Sequence, residues 1–194
     1  MNDIAVRFKE ILEFIDSSAF PEKPLPVVLA QTYGQVQFGL AHRPHDPARD
    51  FYQIHTLGLE DYFEAGKKEH CFHVMLDADD RRWVHENRTL LPYTDEEILK
   101  SSAIHEVRHR LQYHLGIPLF TPSEISKVER CVLWSNAQAN HYRNVPNGDR
   151  ELDAKFFESY GAYEIRRGRL ICAEDVKRLL FMTPQEFIDR EKGV

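Results

Sequence analysis

Two histidines four residues apart, with a glutamate directly after the first, form the string His105-Glu106-Val107-Arg108-His109. In a helix, residues i and i+4 stand one above the other on the same face. Two imidazoles placed this way can meet at one cation, and zinc takes histidine nitrogens at about 2.0–2.1 Å. Glu106 is turned slightly off that face. It is badly placed to be a ligand but can reach a water on the metal. Zinc lowers the pKa of such a water toward neutrality, so Glu106 can take its proton and later pass it on. The chemistry expected of the string is metal-assisted hydrolysis, with His105 and His109 as ligands of a single Zn2+ and Glu106 as general base.

A catalytic zinc needs three protein ligands and one open position. The first candidate for the third is Glu151, in Glu151-Leu152-Asp153-Ala154. On a helix it shares a face with Ala154, Glu158, Gly161 and Ala162. Small residues at 154, 161 and 162 let that helix lie close to the histidine helix, which a short glutamate side chain requires. The competing reading of Glu151 is an exposed carboxylate that only offsets a helix dipole. Glu158, two turns on, is the second choice and His141 the third. Asp153 projects to the other side and ranks last. An electrophile is also needed opposite the base; Tyr160 is assigned to it, with Tyr163 and His141 as alternatives.

The element that must carry the histidines is strongly signalled. Thr94 followed by Glu97 is a capping-box pattern, and Asp95, Glu96 and Glu97 place negative charge where the helix dipole favours it. The helix should run to about Leu115 and stop at Gly116, with Pro118 beyond. Ala103, Ile104, Val107, Leu111 and Leu115 cluster on one side, and Ser102, His105, His109 and Gln112 on nearly the opposite one. Histidines serving as core residues would fall in the aliphatic stripe, so the remaining alternative is a polar face turned to solvent. Arg108, between the two faces, is expected to pair with an acidic side chain, Glu129 being the named candidate. Asp149 should cap a helix running to about Arg167, ended by Gly168. A further helix is expected from Ser123 to about Ala139, and Thr183-Pro184-x-Glu186 signals another in the tail.

The N-terminal part reads differently. Residues 3–16 alternate as an amphipathic helix, with Ile4, Phe8, Ile11, Leu12 and Ile15 on one stripe. Val27–Gln31 and Gln35–Leu40 are strand candidates around Tyr33-Gly34, able to form a hairpin. Phe51–Leu57 is another strand candidate, and 58–70 is ambiguous. Phe72–Leu76 is a strand candidate whose edge could bind substrate by strand addition. The fold class expected is α+β: a single domain over 1–194, with an N-terminal helix and sheet (1–93) and a helical part carrying the ligands (94–194).

Composition narrows the partners. A net charge of -6 gives no basic footprint for nucleic acid. Three scattered cysteines without a CxxC pair argue against a disulfide framework or a thiolate zinc site. With no apolar run of membrane-spanning length and no signal core, a cytoplasmic protein acting on a peptide or protein substrate is expected.

The HExxH string, followed some 40 residues later by a helix with Glu-x-x-Ala, resembles the gluzincin branch of zincin metallopeptidases. The Glu-Leu-Asp-Ala string and the small size look most like minimal zincins of the ImmA/IrrE type. The resemblance spans about residues 72–165. It implies a zincin-like fold with a small twisted sheet on the active-site helix, with His105, His109 and Glu151 holding zinc and Glu106 acting as base. Two positions depart from the family pattern. Arg108 stands where an uncharged residue is usual, and Lys155 follows the Ala where an Asp often supports a histidine, so another group must orient the imidazoles. The rival readings are a zincin-fold metal-binding or regulatory interaction protein without peptidase activity, and a carboxylate-bridged di-iron protein. The latter would need a second Glu-x-x-His string, which the chain lacks.

Overall fold

The computed structural model describes residues 3–33, 38–42, 46–69 and 93–193. The strand expected at Phe72–Leu76 lies outside the described residues, as do Cys71 and the turn expected at Asp77–Arg82. Among the described residues the architecture is α+β: eight helices and a small three-stranded mixed sheet. Chain order is α1 (Asp3–Ala19), β1 (Val27–Ala30), β2 (Phe38–Ala41), β3 (Phe51–His55), α2 (Leu59–Glu69), α3 (Asp95–Leu115), α4 (Pro122–Ile125), α5 (Val132–Tyr142), α6 (Gly148–Arg166), α7 (Ala173–Leu180) and α8 (Pro184–Lys192).

The sheet order is β1-β3-β2. β1 runs parallel to β3, with Val27 opposite Tyr52, and β2 runs antiparallel to it, with Leu40 opposite Tyr52. The two early strands therefore do not form the expected hairpin. β3 inserts between them, because Tyr52 and Ile54 are the fully buried residues of the sheet and occupy its centre.

α3 is the central helix. Thr94 accepts from the Glu97 amide while the Glu97 carboxylate accepts from the Thr94 amide, closing the capping box. Gly116 ends the helix at φ 57°, the left-handed conformation that glycine takes without a Cβ clash. Ala103, Ile104, Val107 and Leu111 have no exposure, whereas Leu115 is left 54% exposed by the helix end. The polar face is covered as well: Glu106, His109 and Gln112 are all buried. The helix packs between α1 and α6 and also touches β2. The histidine stripe therefore faces the interior rather than bulk solvent.

Two buried ion pairs lock these layers. Arg110 on α3 donates to both oxygens of Asp16 on α1 at 2.6 and 2.7 Å, and the Tyr52 hydroxyl of β3 donates to Asp16 at 2.7 Å. Arg108 donates through Nε to Asp153 Oδ2 on α6 at 2.7 Å. The partner expected for Arg108, Glu129, is thus replaced by Asp153, which is itself fully buried.

Two boundaries differ from expectation. The single helix anticipated over 123–139 is split into α4, a 3-10 turn at Glu129–Cys131, and α5. A Thr121 capping box closes the first short piece, and the breaks let Ile125, Val128, Cys131 and Trp134 all turn inward. α6 is preceded by Asn147 at φ 57°, with no side-chain cap, rather than capped by Asp149. Gly148 is required next, since a Cβ there would stand 2.2 Å from the Tyr142 carbonyl oxygen. Among the described residues, no helix is long and apolar enough to cross a membrane.

Candidate metal centre

His105 and His109 project from α3 toward Glu151 in the first turn of α6. Their Nε2 atoms are 3.1 Å apart. Glu151 Oε1 lies 3.4 Å from His109 Nε2, and Oε2 lies 3.7 Å from His105 Nε2. Four ligands at zinc bond lengths stand roughly 3.3 Å from one another around a tetrahedron. The three separations bracket that edge.

The hydrogen-bond network fixes which nitrogen faces the centre. Gln112 Nε2 donates to Asp153 Oδ2 at 2.7 Å and to the Arg150 carbonyl at 3.0 Å, so its amide oxygen is the atom 3.0 Å from His109 Nδ1. An amide oxygen only accepts, so Nδ1 carries the proton and Nε2 presents a lone pair inward. His105 Nδ1 lies 3.1 Å from Glu158 Oε2. This is ion-pair range, yet the angle is off a hydrogen-bond line and Nδ1 has no aligned partner. The carboxylate still favours the proton on that nitrogen. Two imidazole lone pairs and one carboxylate then converge, an arrangement that repels itself unless a cation sits among them. The residues present fit a metal.

The electrostatics point the same way. Burial works against a charged His109, but Glu151 and Glu106 outweigh it and raise its pKa. His109, in turn, holds the Glu151 carboxyl below its ordinary range, despite burial. Glu106 is 6% exposed, and burial raises its pKa against the opposing pull of His105, His109 and the Leu40 amide. That amide donates to Glu106 Oε2 at 3.0 Å, which ties the carboxylate to β2 rather than to the ligand trio. A cavity of ≈ 240 Å³ lies here, lined by Phe38, Gly39 and Leu40 of β2 together with His105, Glu106, His109, Tyr113 and Glu151.

Other candidates go elsewhere. Tyr160, assigned as electrophile, has no exposure and donates its hydroxyl to Glu191 at 2.7 Å, so it is a core residue remote from the trio. Tyr163 is buried and stacks with Tyr160, beneath Arg130 and Arg167. His141 is exposed at the end of α5. Glu158 backs His105 on its far side and is held there by Lys155 at 2.7 Å. Lys155 thereby orients the carboxylate that stands beside His105.

Two tyrosines missed in the sequence lie at the site instead. Tyr113 lines the cavity, one turn beyond His109 on the same face, a spacing that could have flagged it. Tyr142, at the end of α5, is pushed up to about 12 by burial and by Glu158 and Glu151. Nothing in the local sequence announces it, because α5 was not resolved as a separate helix. No family model, no curated protein and no solved structure matches this chain.

Proposed function

We propose that the chain is a zinc-dependent hydrolase, with peptide bonds as its substrate class, built on a zincin-like arrangement similar to minimal ImmA/IrrE-type metallopeptidases. The observation that carries this reading is the convergence of the His105 and His109 Nε2 lone pairs with the Glu151 carboxylate at 3.1 to 3.7 Å. When bound, zinc would acidify a water and polarise a substrate carbonyl.

The chain's own residues supply the rest. Gln112 keeps the His109 proton on the outward nitrogen, and the charge of Glu158, 3.1 Å from His105 Nδ1, favours the same for His105. Glu106, with a pKa raised by burial, stands beside the trio as the proton acceptor. Its bond from the Leu40 amide aims the carboxylate along the cavity wall. Tyr113 lines the same cavity and is our candidate electrophile in place of Tyr160, whose hydroxyl is taken by Glu191.

Metal analysis of untreated protein, with hydrolysis of fluorescent casein as the activity probe, tests the proposal. Glu106→Gln should retain the metal and lose about 100-fold or more of the casein hydrolysis. Casein hydrolysis unchanged in that variant would reject Glu106 as base, and metal unchanged in His105→Ala would reject the site itself.

A further inference from the structure

A second recess, of ≈ 480 Å³, opens beside the proposed centre between the end of α5, the 143–147 connection and the first turn of α6. Arg143 and Arg150 both line it. Arg150 directly precedes the proposed ligand Glu151, and its carbonyl accepts from Gln112 Nε2 at 3.0 Å. Its Cζ lies over the Tyr113 ring, 4.6 Å from the centroid. Tyr113 lines the metal cavity, so these two side chains form the divide between cavity and recess. His42 holds the same ring, with centroids 4.2 Å apart and planes 18° from parallel. His42 Nδ1 and His114 Nε2 each stand 2.7 Å from Asp50 Oδ2, so the surface on which Arg150 rests is itself anchored.

The charge on this wall is out of keeping with the rest of the chain. Arg108, Arg110 and Arg166 each reach a carboxylate at 2.6 to 2.7 Å. Among the described residues, no carboxylate pairs with Arg143 or Arg150. Asp149 is the one acidic residue among the described residues of the wall, so guanidiniums outnumber carboxylates there although the whole chain carries -6. A guanidinium laid over a ring uses its flat face for the contact and keeps its N–H donors in the plane, in the fork that takes a carboxylate at two points.

We infer that this recess is a substrate subsite for a carboxylate, and that Arg150, with Arg143 in the same recess, is the residue that selects it. The inference rests on the hydrolase reading for the cut, though not for the binding. The carboxylate is either the free end of a peptide or an Asp or Glu side chain. Tyr113 stands 6.3 Å from the His109 ring and 4.6 Å from the Arg150 guanidinium. At roughly 3.3–3.6 Å for each extended residue, about three residues cover that span, so the carboxylate belongs within about three residues of the cut. Leu119 and Leu152 give the recess apolar surface for the stem of the same residue. In the competing arrangement Arg150 only covers the Tyr113 ring and faces solvent, which confers no preference for acidic substrates.

The test uses a mixed-sequence library of synthetic decapeptides in two copies, one with free C-termini and one amidated. Zinc-loaded full-length protein is added and the cut sites are read by mass spectrometry. Asp or Glu should exceed Asn and Gln by about 10-fold at one position within about three residues of the cut, in both copies, if a side chain is recognised. Cutting confined to the free-acid copy, near its end, would identify the chain terminus as the source. Arg150→Gln should abolish either preference and Arg150→Lys should retain part of it. The ratio is taken within each variant, so a loss of folded protein does not move it. Equilibrium dialysis of the same libraries against Glu106→Gln reads binding without turnover, and should retain the same peptides unless Arg150→Gln is added. If the wild type cuts nothing while dialysis shows that Arg150-dependent retention, the hydrolase reading fails and this subsite stands. The subsite is overturned if the wild type cuts with neither an acidic preference nor need of a free end, or if the preference or the retention survives Arg150→Gln. If neither cutting nor retention is seen, both readings fall.

Discussion

Arg108 and Asp153, 45 residues apart in the chain, meet in a buried two-point ion pair, with Nε to Oδ2 at 2.7 Å and Nη2 to Oδ1 at 3.1 Å. Asp153 also accepts from the Phe120 amide and from Gln112, both at 2.7 Å. Arg108 further donates to the carbonyls of Leu180 and Pro118 and lies 3.8 Å from the Phe157 ring centroid. One pair thus ties α3, α6, the 116–121 connection and the end of α7 together. Removing one partner leaves the other charged and dry, which costs about 3–5 kcal/mol. Asp153→Asn and Arg108→Met should each lower the urea midpoint accordingly. The paired variant Arg108→Met/Asp153→Leu should lose less than the two singles combined. Singles within about 1 kcal/mol of wild type would show that the pair is not needed for stability.

Gln112 links that pair to the candidate metal centre. Its amide bridges Asp153 and His109 and thereby sets the His109 tautomer. Support of this kind typically contributes 10–100-fold in metal affinity, a range roughly expected here for Gln112→Ala. Glu158→Gln should do the same through His105, because it removes the negative charge that stands 3.1 Å from Nδ1. Competition against a chelator of known zinc affinity measures both. Unchanged affinity in both variants would mean that the trio needs no outer support.

Glu97 contributes a pH-dependent term to stability. Arg166 and the Thr94 amide outweigh burial and hold its carboxyl below the ordinary glutamate value of 4.5. Arg166 Nε stands 2.7 Å from Glu97 Oε1, linking the start of α3 to the end of α6. A carboxylate whose pKa is depressed on folding stabilises the protein above its unfolded pKa, and that stability is lost as pH falls through the folded value. Glu97→Gln retains an oxygen for the capping box while removing the charge. It should cost about 1–2 kcal/mol at pH 7. The difference from wild type should vanish once the pH falls below the folded pKa. A difference that persists equally at pH 7 and pH 3 would assign the effect to packing instead.

What could be read in the sequence, and what could not, follows from the range of the forces involved. The α3 boundaries were legible because Thr94, Glu97 and Gly116 act within a turn of the residues they cap. The meeting of Glu151 with the two histidines could be expected because side-chain length and the small residues of α6 limit how the helices approach. The partner of Arg108 was not legible: Asp153 and Glu129 are both acidic, and only the packing of α3 on α6 decides between them. Tyr160 failed as electrophile because a tyrosine on a helix face reads alike whether it meets a cavity or, as here, Phe156 and Phe187. His42, Asp50 and His114 come from three separate elements with no common spacing, so their convergence exists only in the fold.

The spacing of α3 and α6 sets the geometry of the proposed centre, and Gly161 of α6 lies directly against Ile104 of α3. A Cβ at Gly161 would stand 2.7 Å from Ile104 Cδ1, so a methyl group there displaces Ile104 or pushes the helices apart. Two effects oppose each other in Gly161→Ala. Alanine gains about 1 kcal/mol of helix propensity over glycine, while overpacking costs about 1–3 kcal/mol. Ile104 Cδ1 is the end of a flexible side chain, so a new rotamer can absorb much of the clash, and the net loss should be about 1 kcal/mol. Gly161→Val adds bulk that a rotamer change cannot absorb, so it should separate the helices and weaken zinc binding as Glu151 is drawn away from His109. Ile104→Val, which removes the clashing methyl, should restore part of the stability of Gly161→Ala. If Gly161→Val keeps wild-type zinc affinity, the separation of these two helices does not govern the site.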